Sequence, residues 1–91
     1  MAIGALNVAG FRRLTASGNV KSSQGAMLGV FCSSSSSGTL QLYDDAATGT
    51  TVPITGSISL TAGQFYTLPI AFSSGLNAVV GGTADITVAV V

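Results

Sequence analysis

The chain of 91 residues has no histidine, no tryptophan, no glutamate and a single cysteine. These absences remove most of the side chains with which enzymes move protons near neutral pH. Without histidine, neither a Ser-His-Asp nor a Cys-His arrangement can be assembled within the chain. Cys32 alone excludes an intrachain disulfide and a cysteine-based zinc site, and it reads as a buried, inert thiol. The sequence therefore points away from an enzyme and calls for no cofactor and no metal.

Charge is equally scarce. Arg12, Arg13 and Lys21 balance Asp44, Asp45 and Asp85 to a net charge of zero, where a soluble domain carries roughly 25% charged residues. A neutral surface offers little repulsion between copies, so self-association is expected. So few cations cannot neutralise a row of phosphates, which excludes nucleic acid as a general partner. No apolar run reaches the roughly 18 to 20 residues that span a bilayer, and the apolar opening at 1–11 has its positive charge after it, unlike a secretory signal. The expectation is a soluble chain made in the cytoplasm, with no membrane partner.

What is present is strand-forming material. Serine, threonine, valine and glycine abound, and most good helix formers are rare. Residues 26–32 (AMLGVFC) are apolar on both faces, as suits a strand in the middle of a fold or at an oligomer contact. The serine run and Gly38 (33–38) read as a hairpin loop, after which alternation resumes at 39–43. A turn follows at 44–49, then short strands at 51–54, 57–61, 64–72, 75–80 and 84–91, with Gly81-Gly82 as a tight hairpin turn. Pro53 and Pro69 mark edge strands or bends. About six to eight short strands predict a small all-β antiparallel β-sandwich, jelly-roll-like or barrel-like. Its expected core is Val20, Leu28, Val30, Leu40, Leu42, Ile58, Leu60, Tyr66, Leu68, Ile70, Phe72, Leu76, Val80, Ile86 and Val88.

Few constellations remain to carry chemistry. Asp44 and Asp45 supply either two carboxylates of a calcium site or, the simpler reading, a solvated turn capped by its own aspartates. Tyr43, Tyr66 and Phe65 are either an aromatic platform for a sugar or ordinary core. The glycine pairs have neither the order nor the following helix of a phosphate loop. Residues 1–16 form an N-terminal arm or first strand ahead of a sandwich domain at 17–91. Its Ile3, Leu6, Val8 and Phe11, with Arg12 and Arg13, are candidate partner-binding residues, because so apolar a segment lies either on its own sandwich or on a neighbouring subunit.

Segments 17–23 (SGNVKSS), 25–33 (GAMLGVFCS), 37–44 (SGTLQLYD), 62–72 (AGQFYTLPIAF) and 75–88 (GLNAVVGGTADITV), with the patterns G-x-L-x-x-Y-D and G-L-x-x-V-x-G-G-T-A-D-x-T-V, resemble very small single-domain β-sandwich phage virion proteins. The resemblance covers 17–91 and brings no catalytic residues. It implies a structural virion protein of the capsid decoration, or cement, type, made in the host cytoplasm and located on the capsid surface. Its implied partners are the major capsid protein and copies of itself in a homotrimer. The alternatives are a neck, tail or fibre-associated component, or a virion-displayed carbohydrate-binding sandwich with a glycan partner. The arm at 1–16 lies outside the resemblance, and its use as a clasp is inferred from its apolarity alone.

Overall fold

Period-two alternation, not the helical period, dominates the sequence, and the computed structural model, which describes residues 10–91, is all-β accordingly. The strands are β1 (Gly10–Leu14), β2 (Gly18–Lys21), β3 (Gly25–Tyr43), β4 (Ile58–Ser59), β5 (Gln64–Phe72) and β6 (Leu76–Val90). Among the described residues they form one antiparallel six-stranded sheet that does not close into a barrel. Its backbone is the pair β3 and β6, in register from Met27↔Val90 to Tyr43↔Asn77. Along the other side of β6 lie β1 (Gly10↔Val90 to Leu14↔Ile86) and β2. Along the other side of β3 lie β5 (Gly25↔Phe72 to Cys32↔Gln64) and β4.

The two central strands must bend. At about 3.3 Å per residue, the 19 residues of β3 would reach about 60 Å if straight, but the longest dimension of the molecule is 40 Å. Register is lost between Met27 and Gly29, between Cys32 and Ser34 and again between Ser36 and Thr39. Such bulges sharpen strand curvature and twist. Ser37 (φ 56°) and Gly82 (φ 66°) take left-handed conformations there, and a Cβ on Gly82 would run into the Ser37 carbonyl.

This arrangement corrects several expectations. Residues 33–38 are not a hairpin loop: Ser34, Ser35 and Ser36 pair with Asp85, Ala84 and Thr83 inside β3. Gly81-Gly82 is not a hairpin turn either, because it lies within β6, where Gly81 opposes Thr39. The local turn chemistry of both segments is overridden by the hydrogen-bonding partner each supplies to the other. Residues 51–54 contribute only the isolated bridge Pro53↔Tyr43, and 57–61 shrink to a two-residue strand. The described residues hold six strands, but β3 and β6 are long rather than short.

One core cluster draws on both ends of the long strands. Val30, Cys32, Leu42, Leu76, Ala78, Ile86 and Val88 are completely buried, with Met27 and Leu40 nearly so. Val20, Ile58, Tyr66, Leu68, Ile70 and Val80 pack partly buried against them. Leu28, expected in the core, is 40% exposed. The register shift between Met27 and Gly29 breaks the alternation, so Met27 points inward and Leu28 outward. Leu14, Met27, Ala78 and Ala84 belong to the core without having been expected there.

Candidate functional site

The acidic turn is a structural clasp. Asp44 accepts hydrogen bonds from the backbone N–H groups of Ser73 (3.0 Å), Ser74 (2.8 Å) and Gly75 (3.3 Å) and from the Ser73 hydroxyl (3.0 Å). Those backbone donors, Ser73 first and Ser74 next, hold its pKa down from 3.8 to about 2. Asp45 accepts from the N–H of Ala47 (2.7 Å) and Gly49 (3.1 Å), capping its own turn. From outside, Asn19 donates to the carbonyls of Asp45 and Ala47, and the buried Asn77 donates to that of Gly49. With both Asp44 oxygens facing N–H groups, the geometry suits a turn anchor rather than a cation ligand. Beside it lies an open depression of about 430 Å³ lined by Gln24, Gly25, Asp44, Ala71, Phe72 and Ser73. Among the described residues there is no cluster of three or more metal-ligating groups.

The three aromatic residues considered as a sugar platform do not share a surface. Phe65 and Tyr66 are consecutive in β5, so they point to opposite faces. Tyr66 turns toward the core and fastens the β4 segment: its hydroxyl accepts from the N–H of Thr61 (2.7 Å) and donates to the Ser59 carbonyl (3.4 Å). Tyr43 ends β3, at the far end of the strand from Phe31, the partner of Phe65.

The feature that stands out is the outward face of the sheet across β1, β6, β3 and β5. Strand parity sends Val88, Val30, Ile86 and Cys32 inward and aligns their neighbours outward in two rows. One row is Arg13, Thr87, Phe31 and Phe65, and the next is Phe11, Ala89, Gly29 and Thr67. Phe11 is 74% exposed, Phe65 53% and Phe31 41%. At ~200 Å² per ring, these three phenylalanines leave about 340 Å² of aromatic surface in water. That is the size of the largest apolar patch on a typical monomer, one that often has a function. The Phe65 ring leans over Gly29, where a Cβ would come within 2.5 Å of its Cζ. An aromatic ring thus fills the place of the missing side chain, a diagonal cross-strand packing that stiffens the patch.

At one side of this face Arg13 meets Asp85 in a two-pronged ion pair, Nε to Oδ1 at 2.8 Å and Nη2 to Oδ2 at 2.6 Å. Each group stabilises the other's charge, raising the Arg13 pKa and lowering that of Asp85. Of the partner-binding candidates, Phe11, Arg12 and Arg13 fall on β1. Phe11 and Arg13 lie on this outward face, while Arg12 falls on the opposite side of the strand. Ile3, Leu6 and Val8 lie outside the described residues. Arg13, considered as a grip for a partner's carboxylate, holds a carboxylate of its own chain. From the sequence, Leu28 was assigned to the core and Phe31 was not singled out. The signal for Phe31 was its position between inward Val30 and Cys32, obscured because every residue from 26 to 32 is apolar or glycine.

No protein-family model matches the chain, and neither a similar curated protein nor a similar solved structure was found.

Proposed function

We propose that this chain is a structural protein that works by association, and that its role is the one its resemblance implies, a decoration protein on the outer surface of a phage capsid. The observation that carries the association reading is the exposed face bearing Phe11, Phe31 and Phe65 on a hydrogen-bonded sheet. Apolar surface held in water is stabilised by being covered, at roughly 25 cal/mol per Å². The apolar residues Ile3, Leu6 and Val8 precede β1 and Phe11 in the sequence, and this reading assigns them to shell binding. The single core cluster fed by both ends of the bent strands supports a sandwich architecture.

Purified virions that carry the chain provide the test. Quantitative mass spectrometry is expected to find it in numbers comparable to the shell subunits, and a Phe11→Asp variant that stays folded is expected to lose occupancy. A copy number matching a single ring would assign the chain to the neck or tail instead. Absence from the particle would refute a virion role.

A further inference from the structure

We infer that the outward face of the sheet pairs with the same face of a second copy of this chain across a two-fold axis. This rests on reading that face as an association surface, and it names the occupant. Three observations select a second copy.

First, the sheet is guarded along its edges but not on this face. Strand β1, at the edge of the sheet among the described residues, carries Arg12 and Arg13, so two copies laid edge to edge there would set arginines against arginines. β5 has Pro69, which offers no N–H to a new strand, and β2 carries Lys21 beside a register shift. β4 is two residues long. Among the described residues, strand addition is disfavoured at these positions, while the apolar face is exposed.

Second, the face is neutral in a way that suits its own copy. Its charges, Arg13 and Asp85, are already matched to each other. A strongly charged partner finds nothing to pair with, whereas two identical faces meet without repulsion. Around a two-fold axis the same Arg and Asp can also bond reciprocally between copies.

Third, the area fits a pair. Four strands at ~4.8 Å and about seven residues at ~3.3 Å give a face of about 19 by 23 Å. Two such faces bury about 900 Å² in total, the size of a weak, transient interface. Residues 26–32, apolar on both sides, are then explained: Met27, Val30 and Cys32 fill the core, while Leu28 and Phe31 fill the contact. An interface of this size gives a dimer in exchange with monomer, not a permanent assembly.

The experiment is sedimentation equilibrium of the full chain over a hundredfold range of concentration. The expected result is a mass rising from 9.0 kDa to twice that value, and no further. Phe31→Asp is expected to weaken the pairing by roughly tenfold or more. Phe31→Thr, which keeps strand propensity, is expected to weaken it with an unchanged far-ultraviolet circular dichroism spectrum. A mass that stays monomeric, settles at a trimer or climbs without limit overturns the inference, as does a dimer indifferent to both substitutions. If the chain is monomeric yet Phe31→Thr reduces its occupancy on virions, the pairing fails and the association reading stands. If Phe31→Thr alters neither pairing nor occupancy, both fail.

Discussion

Replacing Gly82 by alanine tests whether the bend in the long strands is the keystone of the fold. Two separate costs meet at that position. Gly82 has φ 66°, a left-handed conformation that costs a residue with a Cβ about 1 to 2 kcal/mol. The new Cβ would also collide with the Ser37 carbonyl, and that backbone is itself left-handed and held between paired segments of β3. Relief by backbone shifts of this sort costs typically about 1 to 3 kcal/mol. The sum is about 2 to 5 kcal/mol, a large share of the stability of a domain this small. Gly63 separates the two costs, because it has φ 83° but nothing within 4 Å of its would-be Cβ. Gly63→Ala should lose only the conformational part, about 1 kcal/mol or slightly more. Gly56, open and without a positive φ, should be neutral or gain up to about 1 kcal/mol through a stiffer unfolded chain. Urea unfolding followed by circular dichroism gives all three values. One kcal/mol corresponds to about 4 to 8 °C in Tm at this size, so the order is also visible in thermal melts. Equal losses for Gly82→Ala and Gly63→Ala would refute the contact with Ser37 as a constraint on the bend.

Further consequences are measurable in the same way. The Asp44 pKa is lowered from 3.8 toward about 2, so its contribution is complete above the unfolded value and is lost as pH falls through about 4 to 2. Tm should drop over that window, and Asp44→Asn should lower Tm at neutral pH and flatten the acid limb, leaving the smaller part that Asp85 contributes in the same direction; an unchanged acid limb would contradict the clasp. Leu42→Ala empties a completely buried site and should cost about 2 to 5 kcal/mol, read from the urea midpoint. The Cys32 thiol has no exposure and should react with a thiol reagent only as fast as the chain opens; prompt stoichiometric labelling of the native protein would contradict its burial.

Much of the sheet was legible because alternation is a local property. Residues 64–72 and 39–43 carry period-two patterns, and β5 and the second half of β3 follow them. The acidic turn at 44–49 was legible for the same reason, since Asp45 caps it through bonds to its own near neighbours. The partner of Asp44 was not, because Ser73 lies 29 residues away and no local pattern joins the two.

The sequence by itself thus determined the class: strand-forming residues, almost no charge and no histidine or glutamate leave an all-β domain with little means of acid-base chemistry. The tertiary structure decided what the serine run and the double glycine do. Each alone has the composition of a turn, yet each becomes strand because the other lies opposite and satisfies its backbone. It also decided which side of 26–32 meets water. A stretch apolar on both faces has no preferred side until a register shift at Met27 and Gly29 sets its parity. That shift turns Leu28 outward, to join Phe31, which lies outside the core because Val30 and Cys32 point in.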